Sequence, residues 1–307
     1  MNASNVIAMN VTPAPAAPRY NIDTCATLVE FSAPMWTARK MDRSTTEEVL
    51  TNKRAGAHDA ARVNKHLLAG RMELEVIQKH INATRAYVYD HTIPWSDRGT
   101  RLLPAIDFLT FDARMKEAEE QFVALVDEFV RVYPSLITAQ AMALGDMFSR
   151  DDYPDPSTIR EKFSWHLYYT PVPTAGDFRI DVGNAAQAEL QRKLVEMSDQ
   201  RVHDAVRTLW DSMREHLQRM SRQLTVEVGP DGLEKRSKLY DSLLDGGLDL
   251  CKRMRTLNII NDAELDQARR ELESAISNVD IADLRKDLNA RKEVKARVDE
   301  LLDKFNF

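Results

Sequence analysis

The run NAAQAELQRKLVEMSDQRVHDAVRTLWDSMREHLQRMSRQLT, Asn184 to Thr225, contains neither proline nor glycine. Its apolar residues Leu190, Leu194, Met197, Ala205, Leu209, Met213, Leu217, Met220 and Leu224 recur at helical spacing and form a stripe. At 1.5 Å per residue such a helix is about 60 Å long. This run makes the protein mainly α. After it, GPDG, Gly229 to Gly232, is a strong turn signal. The chain then returns through Leu239, Leu243, Leu250, Met254 and Leu257, which predicts a long antiparallel helical hairpin. Asn261 or Asp262 caps a further helix carrying Leu265, Ala268, Leu272 and Ile276. A charged last helix carries Val294, Val298, Leu301 and Phe305.

Upstream, Phe111, Met115, Ala118, Phe122, Leu125, Phe129 and Tyr133 step by four and three along another helix. Pro134 is expected to end it, with a separate helix over Leu136 to Phe148 and Asp155 before Pro156 as an N-cap. The period then falls to two. FSWHLYYT alternates Phe163, Trp165, Leu167 and Tyr169, and DFRIDV alternates Phe178, Ile180 and Val182, which predicts a β-hairpin in a small sheet. CATLVEFSA, Cys25 to Ala33, reads as a short strand. Ser44 with Glu47, and Thr45 with Glu48, are overlapping capping boxes that start a helix. A second helix is expected from Asp59 to Gly70, and a third carries Leu74, Ile77, Ile81 and Val88 until Pro94 stops it.

These elements suggest an elongated helical bundle with a small β-hairpin or sheet, divided into three parts. Residues 1–22 read as a disordered Ala/Pro-rich tail, 23–183 as a helical domain with a β element, and 184–307 as the long hairpin with the C-terminal helices.

Composition narrows the function classes. Of 307 residues, 43% are hydrophobic and 29% charged, the balance of a folded, soluble protein. The net charge of −6 gives no general attraction to nucleic acid. Its distribution is uneven: Arg39 to Arg101 holds 12 Lys and Arg against 8 Asp and Glu, whereas Asp107 to Arg160 holds 5 against 11. The two segments are expected to face each other. The two cysteines, Cys25 and Cys251, form no CxxC pair, and no apolar run is long enough for a membrane span. With no basic region followed by an apolar one at the start, a cytoplasmic location is expected.

Chemistry-bearing motifs are few. There is no phosphate loop, GxGxxG, HExxH, GxSxG or inward-facing ExxH pair, so no catalytic residue, metal or cofactor is called for. Glu196, Asp199 and His203 share a helical face, but with Arg207 nearby they read as a solvated charge ladder. His58, Arg62 and His66, near Lys53, Arg54, Lys65 and Arg71, would line one face of the expected 59–70 helix and could contact phosphates. The stretch HTIPWSDRGTRLLP, His91 to Pro104, reads as a rigid corner: Pro94 stops a helix, Gly99 permits a positive φ, and Trp95, Leu102 and Leu103 anchor it by burial. Asp97, Arg98 and Arg101 remain as candidate contacts for an anion, an internal carboxylate or a partner.

WTARK (Trp36 to Lys40), IPWSDRGTRLLP (Ile93 to Pro104) and TPVPTAGDFRIDVG (Thr170 to Gly183) together resemble a family of uncharacterised proteins of tailed phages and some bacteria, identified as a domain of unknown function. The likeness runs from about Ala26 to the C-terminus. It implies a phage or prophage context, hence a host cytoplasm, in which such genes lie near those for MoxR-like AAA ATPases and von Willebrand A-type proteins. It transfers no catalytic residue. The leading expectation is therefore a non-enzymatic interaction protein, a homo-oligomer or an adaptor of a AAA ATPase, with long helical faces for partners. The alternative is a nucleic-acid-binding accessory factor in phage replication, recombination or transcription, using Lys53, Arg54, Arg62, Lys65, Arg98 and Arg101. A hydrolase or nuclease with carboxylates gathered at the corner is the third class.

Overall fold

A computed structural model describes residues 22–97, 99–173, 184–228 and 234–305. The expected tail (apart from Ile22), the second strand of the expected β-hairpin and the GPDG turn fall outside the described residues. In chain order the first part contains α1 (Ile22–Cys25), β1 (Ala26–Ser32), β2 (Arg39–Met41), α2 (Arg43–Asn52), β3 (Asn64–His66), α3 (Glu73–His91), β4 (Ile93–Pro94), β5 (Arg101–Pro104), α4 (Phe108–Leu144) and β6 (His166–Pro171). The second contains α5 (Asn184–Leu224), β7 (Val226–Val228), β8 (Glu234–Arg236), α6 (Ser242–Leu257), α7 (Ala263–Ile276), α8 (Ile281–Lys286) and α9 (Leu288–Lys304). The chain is mainly helical, as the 184–225 run required, and α5 alone is 41 residues long.

A four-stranded antiparallel sheet, ordered β4-β5-β1-β6, organises the middle of the molecule. β1 pairs with β5 on one side and β6 on the other, with Leu28 opposite Leu102 and Thr170, and Val29 opposite Arg101 and Tyr169. Successive strand residues point to opposite faces. Leu28 and Val29 are nevertheless both buried, as are Leu102 and Leu103. The reason is that both faces of the sheet are covered. Val29 and Leu103 pack with Val88 of α3 and with Phe111 and Met115 of α4. Leu28 and Leu102 pack, with Ile93 and Trp95, into the cluster built by α5, α6, α7 and α9. Double coverage explains why β1 alternates imperfectly as a sequence.

Several expectations need correction. Pro134 lies inside α4 rather than ending it. A proline in a helix interior costs about 3 kcal/mol, but Tyr133, Leu136, Ile137 and Gln140 are buried along the continuing helix, and that burial offsets the lost backbone bond. The helix expected over 59–70 is absent: this stretch is turns followed by β3, which pairs with β2. His58, Arg62 and His66 therefore share no helical face. The cap of α2 is Asp42, not Ser44 or Thr45. Its carboxylate accepts from the Thr45 amide and from the Ser44 hydroxyl, so the hydroxyl is a donor here. Asp155 caps a turn, accepting from the Ser157 amide, and only a 3-10 helix, Ile159–Lys162, follows. β6 is the strand expected around Tyr169, and its described partner is β1.

The expected long helical hairpin is also modified. GPDG lies between β7 and β8, which pair antiparallel, so a β-hairpin joins α5 to the returning chain. α6 runs back along α5, with Gly247 beside His216 and Leu250 to Leu257 near Leu209 and Ser212, but it is only 16 residues long. α9 packs along α5 more extensively than α6 does. Ser221 donates to Asp299, and the Trp210 and Phe305 rings lie 5.9 Å apart. Asp262 caps α7 as expected, accepting from Glu264 and Leu265 amides. Cys25 is exposed and Cys251 buried, neither in a disulfide, and burial pushes the Cys251 thiol up to about 11. Among the described residues no helix is long and apolar enough to cross a membrane.

Candidate functional site

The corner His91 to Pro104 is one place where the two parts of the chain meet. α3 ends at His91, β4 and β5 pair with Ile93 opposite Leu102, and the Trp95 and Ser96 amides both donate to the Thr100 carbonyl. Gly99 sits at φ +96°, a conformation that a side chain would strain. Trp95 is 5% exposed and packs in the cluster that holds Val202, Ala205 and Leu209 of α5. The Arg201 guanidinium lies 5.3 Å from its ring centroid. Thus the corner is an anchor for α5.

Arg101 lies flat against α3. Its Nε donates to Thr92 Oγ1 at 2.6 Å, its Nη2 to the carbonyls of Thr92 at 2.8 Å and Tyr89 at 3.4 Å, and its guanidinium sits 4.4 Å above the Tyr89 ring. Burial draws it below its usual proton affinity, while the carbonyls it meets are those a helix C-terminus leaves without partners. What it meets is therefore a helix end. Asp97 is exposed, and Arg98 lies outside the described residues. His91 lines a different cavity of about 170 Å³, with Asp107 and, from α6, Lys252 and Arg253. Arg253 pairs with Asp90 of α3 at 2.6 Å, a second link between the two parts.

The basic and acidic segments pack together along α3 and α4, and among the described residues the ion pairs between them gather at Asp152. β2 and β3 put Lys40 directly opposite Lys65, a like-charged pair that is unfavourable by itself. Asp152 lies between them, 2.7 Å from Lys40 and 2.5 Å from Lys65, and Lys65 also donates to the Met147 carbonyl. Burial pushes the Asp152 carboxyl up, but hydrogen bonds from Lys40 and Lys65 outweigh this and hold it below the ordinary carboxylate range. The Lys65 ammonium is correspondingly raised, chiefly by its hydrogen bond to Asp152. Lys65 is thus committed inside the chain. Lys53, Arg54 and Arg62 are exposed on the connection from α2 to β3.

On α5, Glu196 accepts from Arg192 and Arg207 faces Asp211, pairings other than the expected ladder of Glu196, Asp199, His203 and Arg207, and among the described residues no group of three or more His, Cys, Asp or Glu is placed to hold a metal ion. A larger cavity, about 780 Å³, opens between α5, the start of α7 and the end of α9 over Trp210 and Phe305. Its charges largely cancel: Arg207 faces Asp211, and Lys304 is held by Glu271 at 2.6 Å. Sequence reading missed this cavity because its walls come from three segments far apart in the chain, 203–214, 260–267 and 304–305. In comparisons with known proteins, the chain matches no family model, no curated protein and no solved structure.

Proposed function

We propose that the chain is a non-enzymatic interaction protein that presents the first part of α5 to a partner. The observation that carries this reading is the change in burial along one uninterrupted helix. From Val202 onward α5 buries Val202, Ala205, Leu209, Met213, Leu217, Met220 and Leu224, yet no residue from Glu189 to Arg201 is buried. Val195 and Met197 are 39% and 49% exposed there, next to half-buried Leu190 and Leu194. Ion pairs such as Arg192 with Glu189 and Glu196 support this segment, but at about 0.2–0.5 kcal/mol each they stabilise it far less than packing would. An amphipathic helix of this kind suits a groove on another protein. A MoxR-like AAA ATPase is the partner implied by the resemblance of the three motif stretches.

The test mixes the full chain with a MoxR-like ATPase from the same genome and measures complex formation by light scattering. Binding that is lost in the double variant Leu194→Asp, Met197→Asp, with helical content unchanged, supports the reading. A wild-type chain that stays monomeric and binds no ATPase refutes it. The second reading, nucleic-acid binding, draws on the exposed Lys53, Arg54 and Arg62. It requires oligonucleotide affinity that falls steeply with salt.

A further inference from the structure

His216 occupies the closest approach of α5 to α6. Its side chain is 9% exposed, and a Cβ built on Gly247 would lie 3.0 Å from its Nε2 and 2.6 Å from a methyl of Ile276 in α7. Gly246 is equally bare on that side, with the ring Cε1 3.4 Å from where its Cβ would be. Two adjacent glycines thus let the imidazole fill the seam between three helices. One ring edge reaches the backbone of Leu243, whereas Nε2 is buried with no hydrogen-bond partner among the described residues.

The charged groups around the ring make a proton unwelcome. Arg219 on α5 and Arg253 on α6 both act on it as like charges. α7 brings Ile276 to the seam, while its Arg269 and Glu273 act on Cys251. On α9, Asp299 is occupied by Ser221 and Lys295. No carboxylate among the groups that act on His216 is therefore available to balance an imidazolium, and an Nε2–H would point at Gly247 and a methyl group.

We propose that His216 is an acid-sensitive wedge: docking of α6 against α5 requires its neutral form, and protonation forces the seam open. Burial, reinforced by Arg219, holds the imidazole below its ordinary value, so the sign follows directly. Docking is fully stabilised above the ordinary histidine range and weakens as pH falls through it. Because α6 carries Arg253, opening the seam also withdraws the partner of Asp90 and frees α6 from α3. The device is independent of the exposed part of α5.

Hydrogen exchange on the full chain, corrected for intrinsic rates, tests this. Between about pH 7.5 and pH 5, protection of α6 amides is expected to fall about tenfold for each unit by which the folded histidine is depressed. Amides of α3 away from Asp90 should hold steady, and His216→Gln should abolish the α6 response. The same loss in H216Q, or none in the wild type, overturns the proposal. Should H216Q fail to fold, the wild-type imidazole followed by NMR decides: a depressed midpoint with α6 resonances moving in step supports the wedge, and an ordinary midpoint with α6 unaffected overturns it.

Discussion

Arg291 is a cation in the first turn of α9, where the helix dipole disfavours it, and it is 2% exposed. What holds it there is the far end of α5. Its Nε donates to the Leu224 carbonyl at 3.0 Å, and Nη2 donates to Gln223 at 2.5 Å and Ser237 at 3.1 Å. Gln223 and Leu224 are the last residues of α5, so two of these acceptors belong to the carbonyls that a helix leaves unsatisfied. Arg291→Met keeps much of the volume but removes the donors. Replacing both sides of such an interaction is impossible here, since the acceptors are backbone. Each buried carbonyl without a donor costs about 1–3 kcal/mol, and partial access of water to two of the three brings the expected loss to about 3–5 kcal/mol. That is a large share of the stability of a typical domain, about 5–15 kcal/mol. Arg291→Lys, which keeps the charge with fewer directed donors, should lose roughly half as much. Urea unfolding followed by circular dichroism measures both. A loss below about 1 kcal/mol in R291M would refute the idea that this guanidinium closes α5.

Trp95→Ala should lower stability by about 3–5 kcal/mol, because the indole is the corner's anchor in the α5 cluster; a chemical-denaturation loss under about 1 kcal/mol would mean that α5 is held elsewhere. Asp152→Asn tests the meeting of the basic and acidic segments. The depressed carboxyl contributes stability at neutral pH that disappears as pH falls through the carboxylate range, so the variant should show a lower midpoint near pH 7 and a shallower acid limb below about pH 5. Equal acid limbs in the two proteins would mean that Lys40 and Lys65 are balanced by other groups.

Much of the helical framework is legible in the residue order. The α5 run, the α3 stripe, the Asp262 cap and the α4 seam follow from spacing and capping chemistry, which act within a few residues. The failures share one cause. β3 is three residues without a marked alternation, and the like-charged Lys40 and Lys65 across its pairing with β2 are bridged by Asp152, more than eighty residues downstream of Lys65. Pro134 signals a helix end locally, yet burial of Leu136 and Ile137 carries α4 through it. At the candidate site, burial of Trp95 and the corner geometry were readable from proline, glycine and aromatic placement. That Arg101 would close the end of α3 was not, because an arginine beside a turn looks the same whether it faces a phosphate or a carbonyl.

By itself the sequence determined that this protein is mainly helical, where its longest helix lies, and that His91 to Pro104 turns a corner. Periodicity and caps are local, and their free energies are set within a turn or two. Only the tertiary structure decided that the sheet is covered on both faces, that α9 is the main partner of α5, that Lys65 and Arg101 are used inside the chain, and that His216 lies buried against paired glycines. Each of these depends on contacts between residues distant along the chain, whose desolvation and packing no local pattern encodes.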